Sequence, residues 1–308
     1  MFFSIIIPCY NSEEYIERCI SSIYENVTCE FSFEVIVIND GSKDKTLEVL
    51  NTILDKFNDL IVVNNENFGP SFSRNIGIEM AQGEYLLFLD SDDFYLKGTL
   101  LGLYKYILNY QMPDVLEFNF SYLKKSIFKD KIKKIKCTTA IEHALKGYNI
   151  NSVSNKSYKR NFINENSIFF NENIRLAEDL EFNTNVFLQA NNVLAIPDYF
   201  LVVNNLNLNS VTRINTLKNR YKIIHQLKVV FNLLLIKLNT VTDIKHKQYL
   251  RLKLTTIFYS IVFKFFLLTM SRSKTLNEIH SLEKFDFNSK GLKNTIYLII
   301  FKVLFSGK

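Results

Sequence analysis

The stretch "YLLFLDSDD" at residues 85–93 changes from apolar to acidic within one residue. The apolar run at 85–89 predicts a buried β-strand, and Asp90, Asp92 and Asp93 follow it directly. Carboxylates packed this closely repel one another, by about 1 kcal/mol for a pair ~4 Å apart in water and by more in a cleft. The stretch therefore indicates a cation or a polar ligand at the end of a buried strand.

Three strand–helix units precede this strand. The strands are the apolar runs "FSIIIP", "EVIVIN" and "LIVVN", and a helical pattern follows each of them. We expect Asn11 or Ser12 to cap the first helix, Asp44 to cap the second, and Pro70 and Gly83 to begin and end the third. Continuous apolar strands that alternate with helices predict a parallel sheet covered on both faces.

Polar residues follow each predicted strand. In open α/β sheets the ligand binds outside the carboxyl ends of the strands, so these residues should meet at one edge. They are Pro8, Tyr10 and Asn11 after the first strand, Asp40, Gly41, Ser42 and Asp44 after the second, Asn65, Asn67 and Gly69 after the third, and Asp90, Asp92 and Asp93 after the fourth.

The D-x-D spacing suits a hard divalent ion such as Mg²⁺ or Mn²⁺, which keeps few protein ligands and is completed by phosphate oxygens. A diphosphate is the natural partner. Neither a GxxxxGK[ST] loop nor a GxGxxG after the first strand is present, so the pattern of a P-loop or dinucleotide fold is missing. As the alternative, "DSDD" would only cap a helix and "DGS" would be an ordinary turn, but their placement after successive strands disfavours this.

Four stretches in order resemble the family 2 glycosyltransferases of the GT-A fold: "IIIPCYNSEEYIERCISSI", "VIVINDGSKDKT", "NFGPSFSRNIGIEMAQGEYLLFLDSDD" and "IRLAEDLEFN". The resemblance is dense over residues 3–95, returns around 155–185 and fades after about 205. It implies an inverting enzyme that uses a nucleotide sugar. It also implies an α/β fold with a mostly parallel, Rossmann-like nucleotide-sugar-binding sheet, helices on both faces and a C-terminal helical region.

The resemblance implies roles for individual residues, with Mn²⁺ or Mg²⁺ as the cofactor. Asp40 would bind the uracil ring, Asp90 would hold the ribose, and Asp92 would ligate the metal. Asp93 would cap the following helix or support the site from behind these residues. The remaining residues implied to line the nucleotide-sugar pocket are Pro8, Tyr10, Asn11, Arg74, Asn75 and Ser91.

The motif "AEDLEF" at 177–182 supplies the candidate catalytic base. Inversion needs a group that takes the proton from the acceptor hydroxyl, and a carboxylate suits this role. Similarity to the family's "ED" motif favours Asp179 over Glu178. In the alternative, both carboxylates only stabilise a helix N-terminus. The family often has glycine where Ala177 stands and an apolar residue where Ser157 stands.

The sequence leaves rival functions open. A two-carboxylate hydrolase would need neither the aspartate-rich site nor the "DGS" pocket. A nucleotidyltransferase could share the sheet and the metal. A catalytically inactive subunit that binds sugar nucleotides or glycans is the competing class, against which the set Asp40, Asp90, Asp92 and Asp179 argues.

The charge distribution divides the chain in two. Residues 1–215 hold 20 Lys+Arg and 27 Asp+Glu, a net charge of −7, whereas residues 216–308 hold 17 and 4, a net charge of +13. We predict a catalytic domain over 1–215 and a basic, amphipathic helical region over 216–308. That region either packs on the catalytic domain or lies on an anionic membrane near a lipid-linked acceptor.

Other features narrow the setting. The N-terminus lacks the pattern of a signal peptide, no run of 18 uncharged apolar residues predicts a spanning helix, and four cysteines without a CxxC pair fit a reducing compartment. We expect a cytoplasmic, peripheral enzyme on the inner face of the cell membrane. The lysine-rich stretch 124–136 predicts a solvated hairpin or an anionic contact, and no nucleic-acid-binding module accompanies it.

The predicted reaction adds one sugar from a UDP-sugar to a growing surface glycan. The multi-span synthases of the family carry a QxxRW motif, and this chain has no tryptophan. We therefore expect a non-processive enzyme.

Overall fold

The computed structural model describes residues 1–26, 30–123, 132–146, 151–207 and 216–269. The chain divides into two compact units, Met1–Leu208 and Asn209–Lys308. Residues 124–131 of the lysine-rich stretch and residues 270–308 of the predicted basic helical region lie outside the described residues.

The first unit is built on one mixed sheet with helices around it. Its strands are β1 Phe3–Cys9, β2 Phe33–Asn39, β3 Leu60–Asn64, β4 Tyr85–Phe88, β5 Phe94–Tyr95, β6 Val115–Tyr122, β7 Lys136–Thr139, β8 Lys156–Lys159 and β9 Asn192–Val203. Its helices are α1 Ile16–Tyr24, α2 Thr46–Leu54, α3 Pro70–Met80, α4 Thr99–Asn109, α5 Ala140–Leu145, α6 Arg160–Glu165 and α7 Glu178–Gln189.

The strand order is β3-β2-β1-β4-β8-β6-β9-β5, and β7 pairs with β9. Strands β1 to β4 are mutually parallel, as the alternation of strands and helices predicts. Strand β8 breaks the pattern because it lies antiparallel between β4 and β6. The fold is therefore the predicted α/β class with a mostly parallel sheet.

Both faces of the sheet are covered at β1. Ile5 and Ile7 share a buried cluster with Ile20 of α1. Ile6 points to the other face, where a Cβ added to Gly77 of α3 would lie 2.3 Å from its Cγ2. The continuous apolar pattern of this strand thus reflects burial on two sides.

The first helix begins differently from the prediction, whereas Asp44 lies at the start of the second as predicted. Helix α1 starts at Ile16 without a side-chain cap, because residues 13–15 form a turn and the carbonyl of Ser12 accepts from the Tyr15 and Ile16 amides. The predicted caps Asn11 and Ser12 serve other loops instead, as described below. Asp44 does accept from the amide of Thr46, the first residue of α2, at 3.0 Å.

Gly83 does not end α3 as predicted. The helix ends at Met80, and Ala81 is already extended. A Cβ on Gly83 would lie 2.5 Å from the carbonyl carbon of Phe3 and from the amide nitrogen of Ser4. The glycine is required because its backbone passes closely by β1.

The second unit holds α8 Leu217–Thr240 and α9 Ile244–Thr269, which pack against each other. The hydroxyl of Thr216 accepts from the Asn219 amide at 3.2 Å and caps α8. Large apolar side chains remain exposed on both helices, namely Leu217, Tyr221, Ile236, Ile244, Leu252 and Phe263. No helix within the described residues combines the length and the apolar character that a membrane span needs.

Candidate active site

The loops that follow β1, β2 and β4 are joined by hydrogen bonds at the carboxyl edge of the sheet. Asn11 is left-handed at φ +50°; its amide donates to Ser42 Oγ at 3.0 Å and its Oδ1 accepts from the Lys43 amide at 2.8 Å. The hydroxyls of Ser12 and Ser91 lie 2.8 Å apart. Three predicted loops therefore meet, as the strand-end pattern indicates.

The predicted nucleotide residues occupy different depths of this edge. Pro8 is partly buried at the end of β1, whereas Tyr10 is exposed. Asp40 is buried, and its two carboxylate oxygens accept from the amides of Phe68 and Gly69, each at 2.8 Å. Asp40 thereby ties the loop after β3 to the end of β2.

Arg74 of α3 lies buried among three carboxylates. Its Nη2 is 2.9 Å from Asp90 Oδ1, and its Nη1 is 2.9 Å from Glu178 Oε1 and 3.6 Å from Asp179 Oδ1. Burial opposes its charge, but the three carboxylates outweigh burial and raise the pKa of Arg74. We call Arg74, Asp90, Glu178 and Asp179 the Arg74 cluster.

Asp179 lies at the start of α7, just after Ala177, whose backbone is left-handed at φ +68°. Its Oδ2 accepts from the Val153 amide at 3.3 Å, whereas its buried Oδ1 accepts no hydrogen bond from the described part of the chain. Burial is the main cause that raises the pKa of Asp179 to about 7; Glu178 and Asp90 also raise it, and Arg74 lowers it. A carboxylate with a pKa near neutral is suited to general-base catalysis.

The three aspartates of "DSDD" point to different partners. Asp90 Oδ1 pairs with Arg74, and Asp93 is buried with its Oδ1 accepting from the Asn204 amide at 2.8 Å. Asp92 remains partly exposed, and its Oδ2 accepts from Asn207 Nδ2 at 2.8 Å. These separate contacts relieve the repulsion that the sequence implies.

A divalent ion could bind at Asp92 only with help from a ligand. Carboxylate oxygens are the donors that Mg²⁺ and Mn²⁺ prefer. Across the described ranges, however, no three His, Cys, Asp or Glu side chains converge in a way that could hold a metal ion. Among the described residues, Asp92 thus offers a divalent ion one partly exposed carboxylate, and a ligand would have to supply further oxygens.

Asn75 is not brought into this group. It is buried, and its Nδ2 donates to the Phe170 carbonyl and to Glu172 Oε1, each at 2.9 Å. Its Oδ1 accepts from the Phe170 amide at 2.8 Å. The side chain of Asn75 thus holds the 170–172 segment.

Three residues that contact the predicted site residues were not identified from the sequence, namely Val153, Ser154 and Asn207. Ser154 Oγ donates to Asp90 Oδ2 at 3.3 Å across 64 residues of chain. The contact exists because β8 inserts beside β4, which no local periodicity signals. The only available sign was the resemblance that returns near residue 155.

The chain is similar to known proteins both in sequence and in fold. The sequence model of the family "Glycosyl transferase family 2" matches residues 4–172 of this chain. The poly(ribitol-phosphate) beta-glucosyltransferase of Bacillus spizizenii is 31% identical over 205 residues, which cover 65% of this chain and 31% of that protein. This chain thus spans about a third of that relative's length.

Solved structures share the fold. The structure of residues 1–349 of TarS from Staphylococcus aureus in complex with UDP is 25% identical, with a TM-score of 0.64 over 83% of this chain and 70% of that chain. The mannosyltransferase PcManGT from Pyrobaculum calidifontis, solved with GDP-Man and Mn²⁺, is 16% identical, with a TM-score of 0.59 over 99% of this chain and 88% of that chain. The latter likeness concerns the fold alone.

Proposed function

This chain belongs to glycosyl transferase family 2, and from that premise we propose that it is an inverting, non-processive glycosyltransferase. It moves one sugar from a UDP-sugar to a hydroxyl group of a growing glycan. The observation that carries the proposal is the position of Asp179. Its carboxylate lies 3.6 Å from the guanidinium that also holds Asp90, and its pKa is raised to about 7.

The donor would bind at the carboxyl edge of β1, β2 and β4. Asp40 would bind the uracil ring in a pocket lined by Pro8, Tyr10 and Asn11, and Asp90 with Ser91 would hold the ribose. UDP is the nucleotide in the TarS complex, and this likeness supports a UDP-sugar donor. Arg74 contributes by fixing the Asp90 carboxylate, to which it donates at 2.9 Å.

The Asp179 carboxylate takes the proton of the acceptor hydroxyl. The acceptor oxygen forms a bond to the anomeric carbon from the face opposite the nucleotide, and the bond from that carbon to the diphosphate oxygen breaks. The electron pair of this bond leaves with UDP, and Asp179 later releases its proton to solvent. Because Oδ1 of Asp179 is buried and accepts no hydrogen bond from the described residues, it retains the basicity that the step needs.

Asp92 is the residue that would hold Mg²⁺ or Mn²⁺. A divalent ion bound there would neutralise charge on the departing diphosphate. Arg18 supports the loop, since its Nη2 donates to the Asp92 carbonyl at 3.0 Å.

The acceptor proposed is a lipid-linked glycan intermediate at the inner face of the cell membrane. Residues 216–308 carry 17 Lys+Arg against 4 Asp+Glu, and exposed apolar side chains accompany them on α8 and α9. Basic and apolar groups together favour an anionic bilayer surface. Vesicle flotation tests this part: the chain should float with anionic vesicles and remain unbound with neutral ones.

Calorimetric titration with UDP, with and without Mn²⁺, tests the donor site. We expect metal-dependent binding that weakens at least about tenfold in Asp92→Ala, since phosphate binding at such sites relies on the metal. Asp55→Ala is the matched control, because Asp55 is exposed at the C-terminal end of α2, remote from the carboxyl edge of the sheet. Failure to bind UDP under either condition contradicts the UDP-sugar assignment, and unchanged binding in Asp92→Ala contradicts the metal assignment.

A further inference from the structure

Three ionisable side chains are buried in the first unit away from the Arg74 cluster. Glu117 of β6, His143 of α5 and Lys156 of β8 are each at most 1% exposed. His143 Nε2 hydrogen-bonds to Glu117 Oε2, and Lys156 Nζ lies 3.9 Å from Glu117 Oε1. We call these three residues the Glu117 cluster.

A gain in stability alone does not explain why these three ionisable side chains are buried together. Removing two charges from water is costly, and apolar side chains of similar volume are often as stabilising in such a place. A buried ionic group that is retained calls for a structural task that apolar packing cannot perform. The hydrogen bonds of Lys156 indicate what that task is.

Lys156 fixes the segment that precedes β8. Its Nζ donates to the Ser152 carbonyl at 2.6 Å and to Asn155 Oδ1 at 3.0 Å. Asn155 is in turn paired with β6, since its Nδ2 donates to the Phe118 carbonyl at 2.9 Å and its carbonyl accepts from the Phe118 amide at 3.1 Å. The segment 152–155 is therefore held at both of its ends.

The two residues between these ends contact the candidate active site. The Val153 amide donates to Asp179 Oδ2, and Ser154 Oγ donates to Asp90 Oδ2, each at 3.3 Å. The cluster also contacts the helix that carries Asp179, because the ring of His143 stacks on Phe187 of α7 with centroids 5.8 Å apart. Both supports of Asp179, the segment and the helix, thus rest on the same cluster.

We propose that Glu117, His143 and Lys156 form a positioning network that fixes residues 152–155, so that Val153 and Ser154 hold the Asp179 and Asp90 carboxylates in place. The three residues touch neither donor nor acceptor. The inference rests on the proposed function, because only the reaction gives Asp179 and Asp90 their roles.

The network has a consequence for the base. The Val153 amide favours the ionised carboxylate and so lowers the pKa of Asp179 against the effect of burial. The other groups that face Asp179 are Arg74 of α3, Asp90 after β4, Glu178 of α7 and Tyr158 of β8. None of them belongs to the Glu117 cluster. Release of the segment removes the Val153 hydrogen bond to Asp179 and the Ser154 hydrogen bond to Asp90. Loss of the first stabilises the ionised Asp179 less, and loss of the second leaves the nearby Asp90 charge less compensated, so both raise the pKa of Asp179.

The test uses the full chain with the double substitution Glu117→Gln and Lys156→Met, which removes both charges together and leaves no unpaired ion. Hydrogen exchange of the peptide 151–156 should become at least about tenfold faster, while the α3 peptide 70–80 stays unchanged. The dissociation constant of UDP should stay within about threefold and kcat should fall at least about tenfold. The acid limb of the pH profile of kcat/KM should move to higher pH.

Glu34→Gln is the matched control. Glu34 is equally buried and accepts from Ser4 Oγ and the Gln82 amide, on the opposite side of β1 from β8. This variant tests whether any loss of a buried carboxylate produces the same effects. We expect it to leave both the exchange of 151–156 and the acid limb unchanged.

The outcomes separate the two ideas. Unchanged exchange of 151–156 in the double variant, or a kcat and an acid limb like those of the wild type, overturns the network. If the double variant does not fold, exchange of the wild-type chain decides, because rapid exchange of 151–156 in the wild type overturns the fixed segment. If exchange of 151–156 is faster in the double variant but the wild-type chain neither binds UDP nor transfers sugar, the fixed segment is upheld and the proposed function is refuted. The catalytic role of the network is then refuted with it.

Discussion

The Arg74 cluster and the Glu117 cluster both lie in the first unit, but their charges balance differently. The Glu117 cluster is fully buried, whereas the carboxylates around the buried Arg74 are partly exposed. In the Arg74 cluster, one guanidinium faces three carboxylates. In the Glu117 cluster, one carboxylate faces an ammonium and an imidazole. The same fold thus contains a site with excess negative charge and a site without it.

The pKa values of Asp179 and Glu117, one carboxylate from each cluster, shift in opposite directions. Burial, with Glu178 and Asp90, raises the pKa of Asp179 to about 7 despite Arg74. Burial also opposes ionisation of Glu117, but Lys156 and His143 outweigh it and lower its pKa. An unbalanced cluster can exchange a proton near neutral pH, whereas a balanced one keeps its charges and can hold backbone in place.

Removal of the base should have the largest effect. Asp179→Asn should lower the initial rate of UDP release from the UDP-sugar in the presence of acceptor by about 10²–10⁴-fold, because general-base catalysis contributes that much. UDP binding should persist. Glu178→Gln is the matched variant one residue earlier on α7, and we expect a smaller loss. A greater loss in Glu178→Gln would exchange the roles of the two carboxylates.

Removal of the Arg74 guanidinium should destabilise the protein strongly. Arg74→Met leaves Asp90, Glu178 and Asp179 without their common partner and should cost about 3–5 kcal/mol in the free energy of unfolding, as for other broken buried ion pairs. Urea unfolding measures this cost. The charge-neutral double substitution Glu117→Gln and Lys156→Met should cost less, and an equal or larger cost would end the distinction between the two clusters.

The two clusters should affect stability with opposite dependence on pH. Because the pKa of Asp179 is raised from its usual 3.8 to about 7, the folded chain binds more protons than the unfolded chain between these values. The stability that this group contributes is therefore present below pH 3.8 and is lost as the pH rises through about 7. For Glu117, whose pKa is lowered, the contribution is lost as the pH falls.

Urea unfolding midpoints of the wild type and of Asp179→Asn across this pH range test the pH dependence expected for Asp179. The variant should be more stable than the wild type by about 1–3 kcal/mol at pH ~8 and nearly equal to it at pH ~4, because it carries no buried charge to ionise. A difference between the two chains that does not change with pH contradicts the raised pKa of Asp179.

The smallest effect concerns the backbone beside the Arg74 cluster. Ala177 adopts φ +68°, which is unfavourable for a residue with a Cβ. Ala177→Gly should stabilise the protein by about 0.5–1 kcal/mol, since relief of strain exceeds the added entropy of the unfolded chain. Thermal unfolding of the two chains measures the change. A lower melting temperature for the glycine variant would show that the entry to α7 is not strained.

Much of the fold could be predicted from local patterns. Continuous apolar runs predicted β1 to β4 and their parallel pairing, because a strand buried on both faces needs apolar side chains on both. The meeting of the loops around Asn11, Ser42 and Ser91 followed from the rule that parallel strands end at one edge. The choice of Asp179 came from family resemblance, since residue types alone could not separate it from Glu178.

Other features depended on contacts that no local pattern encodes. Gly83 looks like a helix stop, but its reason is the close passage of β1, about 80 residues earlier in the chain. Asn75 stands beside Arg74 in sequence, yet the helix turns its amide toward Phe170 while Arg74 reaches Asp90. Neighbours on a helix face different sides, so their roles diverge.

The sequence by itself determined the α/β class, the parallel strands of the first half and the edge at which the polar residues meet. These depend on hydrophobic periodicity and on the alternation of strands with helices along the chain, both of which can be read from local stretches of sequence. Only the tertiary structure decided the pKa of Asp179 and the identity of the residues that hold it. Both depend on burial, on the charges of Arg74 from α3 and Asp90 from the loop after β4, and on the Val153 amide of the segment before β8. The electrostatic effect of a neighbour is set by its distance in space rather than along the chain.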